Sequence, residues 1–167
     1  MLTLEQALKG PDKVSRAVKY KDDYSPEIEA AMIDTLRRVN AVVNVYEAET
    51  GDTVDEVRSG WRPPAVNEAT SNAAKASKHL SGDALDVANK ASKSGERFAL
   101  WCFNNQHVLE THGLWMEHPA STVLAAKEDG KNPWCHLQRT PSLSGQRAFF
   151  AAGAHVALWG MYLGDKA

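Results

Sequence analysis

Two histidines and an aspartate carry the chemistry this chain can offer. The stretch Ser77 to Asp86 reads S-K-H-L-S-G-D-A-L-D, with His79 and Asp86 seven positions apart and Gly82 between them. A second short stretch, W-C-H at Trp134 to His136, brings another histidine far downstream. Neutral imidazole and carboxylate are borderline ligands that suit Zn²⁺, and thiolates are not needed in a catalytic site. Three nitrogen or oxygen ligands leave the fourth position of a tetrahedral zinc open for water. His79, Asp86 and His136 are therefore expected to hold one zinc ion.

The surrounding elements must bring these residues together. Seven positions is two helical turns, ~10 Å along a helix axis, so His79 and Asp86 cannot be ligands from one turn. They converge if a turn at Ser81-Gly82-Asp83 folds His79 back over a strand that carries Asp86. Gly82 permits such a turn because it tolerates positive φ. Trp134 and His136 share one face of their strand, with Cys135 and Leu137 on the other, so Cys135 is not expected to bind the same metal. An H-x6-D pair also arises by chance, and six histidines make an accidental third one easy to find. His107, His112, His118 and His155 read as solvent-facing, capping or core-edge residues. Asp83 could orient the His79 loop, but a solvated turn aspartate is the favoured reading.

The rest of the chain reads as follows. A short amphipathic helix over 3–9 ends at Gly10-Pro11, and 11–24 is charged and irregular. Ser25-Pro26-Glu27 opens a long helix, with serine as N-cap and proline at the first helical position. Ile28, Met32, Leu36, Val39, Val43 and Tyr46 recur at helical spacing up to Gly51 and form its apolar face. Strands are expected over 54–58, 84–88, 114–117 and 134–138, and a strand or edge over 147–154. Pro63-Pro64 breaks regular structure, and 67–78 is a loop with a helical turn. A helix is expected over 95–111, ended by His112-Gly113, a polar loop over 121–132, and a helix over 154–163. Helices around a small, mostly antiparallel sheet of four or five short strands make this an α+β chain.

Composition narrows the function classes. At 167 residues, with 43% hydrophobic and 24% charged residues, the chain is that of one ordinary globular domain. A formal net charge of −2 gives no general pull toward nucleic acid or anionic membrane. Two cysteines, Cys102 and Cys135, make no disulfide framework and belong to no C-x-x-C pair. A cysteine hydrolase built on Cys135 and His136 is disfavoured, because adjacent strand residues point to opposite faces. The first ten residues lack a basic region followed by an apolar run, so no secretory signal is expected. No apolar run reaches the ~18 residues needed to span a bilayer, so no membrane insertion is expected.

The order of these motifs carries a resemblance. S-G-W-R-P-P at Ser59 to Pro64, then Asn67, then S-K-H-L-S-G-D-A-L-D, then W-C-H-L resembles the zinc D-Ala-D-Ala carboxypeptidase and L-alanyl-D-glutamate peptidase family. That family shares a fold group with the hedgehog N-terminal domain. The match covers roughly residues 54–140 and looks most like the small phage- or prophage-type members. It implies a hedgehog/DD-peptidase-like fold, with an amino-terminal helical extension over 1–50, a zinc peptidase core over 51–145 and a tail over 146–167 completing the same domain. It implies His79, Asp86 and His136 as Zn²⁺ ligands, Arg62 facing the substrate's carboxylate or carbonyl, and Ser77 as a substrate-facing hydroxyl. On residue type alone, Arg62 is equally a solvated loop cation and Ser77 a turn serine bonded to its own backbone.

The general base departs from the family pattern. Several members place Asp or Glu three residues before the last histidine, and here that position is Pro133. Glu117 is the expected base, from a strand that could neighbour His136; Glu128 and Asp129 are the alternatives. The implied activity is zinc-dependent cleavage of peptidoglycan stem peptides, at D-Ala-D-Ala, a D,D-crosslink or L-Ala-D-Glu. Without a signal, such an enzyme would be made in the cytoplasm and reach the cell wall after release or as part of a virion. The alternative is a metal-binding module of the same fold with weak or no catalysis, such as a phage structural or recognition domain. Neither reading specifies the oligomeric state.

Overall fold

A computed structural model describes residues 1–10, 13–71, 73–141 and 148–149. The predicted strand extension beyond 149 and the helix over 154–163 lie outside these residues, as does His155.

The longest element is set by its caps and its apolar spacing. Helix α3 (Pro26–Thr50) follows α1 (Leu4–Leu8) and α2 (Arg16–Lys19). Ser25 caps it by accepting the Ile28 amide, Glu27 and Glu29 sit in its first turn, and Gly51 ends it in the left-handed conformation, φ 69°. The expected face is the buried one: Met32, Leu36, Val39, Val43 and Tyr46 join the core. Thr3 and Gln6 close a capping box on α1, whose Ala7 and Leu8 are also buried.

Strands β1 (Glu56–Ser59), β2 (Ala84–Ala88), β3 (Trp115–Glu117), β4 (Cys135–Gln138) and β5 (Ala148–Phe149) form one sheet in the order β1-β2-β4-β3-β5. The first four pair antiparallel, and the two-residue β5 runs parallel to β3. The chain is thus α+β around a small antiparallel sheet, as its sequence pattern implies. Leu85 pairs with Leu137, Val87 with Cys135 and Met116 with Leu137. All five are fully buried, so one face of the sheet is apolar core. The alternate residues, Asp86, His136, Gln138 and Trp115, share the other face. Among the described residues, no helix is long and apolar enough to cross a membrane.

Four local expectations need correction. Pro63-Pro64 starts a helix instead of breaking one: Pro63 is extended and Pro64 is the first residue of α4 (Pro64–Ala69), where a missing amide costs nothing. The helix over 95–111 is two, α5 (Glu96–Asn104) and α6 (Gln106–Thr111). At Asn105 the side-chain amide donates to the Trp101 carbonyl and competes with the backbone ladder. The loop over 121–132 begins as a π-helical turn, Ala120–Leu124, followed by α7 (Ala125–Glu128). Ala120, Thr122, Val123 and Ala126 are buried beneath it, so apolar contact organises a segment whose composition reads as polar. Within the irregular 11–24 stretch, α2 forms one turn.

Candidate metal centre

Register alone brings two of the three proposed ligands together. In the antiparallel pairing of β2 and β4, Asp86 lies directly opposite His136, where facing side chains are neighbours. The third arrives by the expected turn. Gly82 takes φ 75°, the Asp83 amide donates to the Lys78 carbonyl at 2.9 Å, and the Arg62 amide donates to the His79 carbonyl at 3.0 Å. His79 then lies over β2, with Nε2 3.3 Å from Asp86 Oδ2, while His136 Nδ1 is 2.8 Å from Asp86 Oδ1. The two imidazole rings meet edge to face, 5.2 Å between centroids. One donor atom from each of His79, Asp86 and His136 lies within 4.8 Å of the others, and all three residues are buried in the cluster.

Such a cluster can hold a metal ion. Two imidazole nitrogens and one carboxylate, in a site closed to bulk water on most sides, suit a divalent transition metal. The outer contacts fit as well. His79 Nδ1 lies 2.8 Å from the Gly60 carbonyl; a carbonyl only accepts, so Nδ1 carries the proton and Nε2 presents its lone pair to the cluster.

The electrostatics follow from the same contacts. Burial opposes ionisation of Asp86, but the imidazoles of His79 and His136 outweigh it and hold the carboxyl well below the usual carboxylate range. Burial likewise opposes a charge on His136, yet its hydrogen bond to Asp86 and the carboxylates of Asp86 and Glu117 raise its pKa. Each group favours the charged partner, which gives a site primed for a cation once the imidazole proton leaves.

Glu117 belongs to the same neighbourhood. The β3–β4 register pairs Trp115 with Gln138 and Met116 with Leu137; one residue further it would set Glu117 opposite His136, in keeping with the electrostatic interaction between the two. Burial raises the Glu117 pKa; His136 and the Ser121 hydroxyl lower it, and Asp86 raises it further. The alternatives lie elsewhere: Glu128 is exposed, and Asp129 pairs with Lys131 at 2.8 Å on the surface. Pro133 has a structural task, since its carbonyl accepts the Gly95 amide at 2.8 Å ahead of α5.

Arg62 is largely buried. Its guanidinium lies 3.9 Å from Asp86 Oδ2 and donates to Ser59 Oγ at 3.2 Å and Asn67 Oδ1 at 3.4 Å. It is not a solvated loop cation. Ser77 Oγ accepts the His79 amide at 3.4 Å, the turn role its residue type allows.

Several positioning residues escape a reading by residue type. Asp83, expected in solvent, is buried; it accepts from Arg139 Nε at 2.6 Å and from Ser81 Oγ at 2.6 Å. Arg139 also reaches Asp34 at 3.6 Å, so the His79 turn is tied to both β4 and α3. His118, by contrast, takes a role its type allows: it is buried and accepts the Ala120 amide at 3.1 Å at the start of the π-helical turn. Gln138, two residues after His136, lies beside it; strand parity could have found it. Cys102 and Cys135 are buried on the core face, where burial and the neighbouring thiol push the Cys102 thiol up. A cleft lined by Tyr46, Asp52, Asn89, Arg97 and Phe98 shares no residue with the cluster.

Comparison of the chain with protein-family models, with curated proteins and with solved structures gives no match, so the geometry of the cluster and the motifs of the sequence carry the functional reading.

Proposed function

We propose that the chain is a zinc-dependent peptidase that cleaves peptidoglycan stem peptides. The observation that carries this reading is the meeting of His79, Asp86 and His136 within 4.8 Å, with Glu117 and Arg62 beside them. The motif order resembling the D-Ala-D-Ala carboxypeptidase and L-alanyl-D-glutamate peptidase family supports the substrate class.

His79 Nε2, the Asp86 carboxylate and His136 Nδ1 would hold the ion. Zinc in such a site supplies a Lewis acid for a carbonyl and a water acidified toward pKa ~7. The residues do the rest. Glu117, whose pKa burial raises, takes the proton of the attacking water on a carboxylate oxygen and delivers it to the leaving amine nitrogen. Arg62 offers a planar fork to the substrate's carboxylate or carbonyl oxygen. Ser77 Oγ accepts from the His79 amide, which leaves its own hydrogen to donate to the same substrate oxygen. The scissile bond is D-Ala-D-Ala, a D,D-crosslink or L-Ala-D-Glu.

Purified protein incubated with muropeptides, with products read by mass spectrometry, tests the proposal. Cleavage that stops with a chelator and returns with zinc is expected. Tight zinc uptake without cleavage of any of the three bonds would replace it with the metal-binding module.

A further inference from the structure

We infer that Gln138 is a positioning residue that sets which nitrogen His136 offers to the metal. The inference rests on the metal-centre reading and not on the peptidase assignment.

Gln138 is 4% exposed and follows His136 by two positions on β4, so both side chains stand on one face of the sheet. Its amide is oriented by a second contact: Nε2 donates to the Thr140 carbonyl at 2.8 Å. A carbonyl accepts only, so the amide oxygen must point the other way, where Oε1 lies 3.3 Å from His136 Nε2. Turning the amide over would set its oxygen against the Thr140 oxygen. An amide oxygen cannot donate, so His136 Nε2 carries the hydrogen. Nδ1 faces Asp86 Oδ1 at 2.8 Å, so its hydrogen is the one a metal displaces while Gln138 keeps the Nε2 hydrogen, and ligation runs through Nδ1.

His79 is held the opposite way. The Gly60 carbonyl takes its Nδ1 hydrogen, and Nε2 faces Asp86. The two imidazoles therefore enter one site through different nitrogens, each fixed by an acceptor that never touches the metal. A backbone carbonyl does this for the loop histidine. For His136, on a strand whose carbonyls lie in the sheet plane, a glutamine side chain does it.

Zinc-loaded protein with ¹⁵N-labelled histidine provides the test. Long-range ¹H–¹⁵N spectra are expected to show His136 protonated at Nε2 and ligating through Nδ1. Zinc affinity, measured by competition with a chromogenic chelator, is expected to fall about 10- to 100-fold in Q138M. Q138M keeps the length of the side chain and removes the acceptor. Q138E restores an accepting oxygen and is expected to recover most of the loss. A native spectrum with His136 ligating through Nε2 overturns the inference, as does Q138M binding zinc as tightly as the native chain. The native spectrum decides even if Q138M fails to fold. A native chain that takes up no zinc overturns the metal centre itself, and this inference with it.

Discussion

Replacing Gly60 by alanine asks whether the amino-terminal segment and the metal centre are one mechanical unit. The added Cβ would lie 2.2 Å from the Ala7 carbonyl oxygen and 2.7 Å from its carbonyl carbon and Cα. All three are backbone atoms, so no flexible side chain can swing aside. Ordinary contact distances require α1 or the Gly60 peptide to retreat by about 1 Å. That retreat strains the bond from the Trp61 amide to the Ala7 carbonyl, 3.1 Å long, worth about 1 kcal/mol. It also disturbs the packing of Ala7, Leu8 and Trp61, all buried, at about 1–3 kcal/mol for overpacking. Together these give about 2–4 kcal/mol, or a Tm lower by about 5–15 °C for a chain of this length. The Gly60 carbonyl moves with the peptide, so zinc affinity should fall about tenfold or more through His79. Gly51 is the control. At φ +69° with nothing within 4 Å of an added Cβ, G51A costs about 1–2 kcal/mol of backbone strain and leaves zinc affinity unchanged. Thermal unfolding by circular dichroism and chelator competition measure both quantities. G60A with native Tm and native zinc affinity would refute the coupling.

Three further outcomes are expected. E117Q should bind zinc as the native chain does while muropeptide turnover falls about 10²- to 10⁴-fold; equal turnover would remove Glu117 from its role. R62K keeps the charge but loses the fork, so it should raise KM or lower kcat by about tenfold or more with zinc content unchanged; native kinetics would place the substrate elsewhere. Asp34 sits between Arg37 and Arg38, each at 2.8 Å. Burial raises its pKa, but the two guanidinium groups outweigh that and lower it. The unfolded chain therefore binds more protons in acid, and the Asp34 contribution is present above about pH 4 and lost as pH falls through the folded pKa. D34N should flatten the acid limb of a stability–pH curve, and an unchanged limb would count against this.

What could be read from residues alone follows the physics of each element. α3 was legible because its cap, its proline and its apolar spacing agree, and Met32, Leu36 and Val39 are buried as the spacing implies. The three candidate ligands were legible as types and spacing, but their convergence depends on pairing between distant strands. Asp86 meets His136 through a register that no local signal encodes. The same distance in sequence hid the burial of Asp83, whose partner Arg139 lies 56 positions away. Pro63-Pro64 misled because proline stops a helix in its interior and starts one at its first turn. The π-helical turn over Ala120–Leu124 was missed because the polar composition of the segment gave no sign that Ala120, Thr122 and Val123 are buried.

Diffraction at the zinc absorption edge from zinc-loaded crystals tests the central claim most directly. One anomalous peak is expected, about 2.0–2.2 Å from His79 Nε2, an Asp86 carboxylate oxygen and His136 Nδ1. No peak among these side chains, or an ion held by other residues while the three remain bonded only to one another, would contradict it.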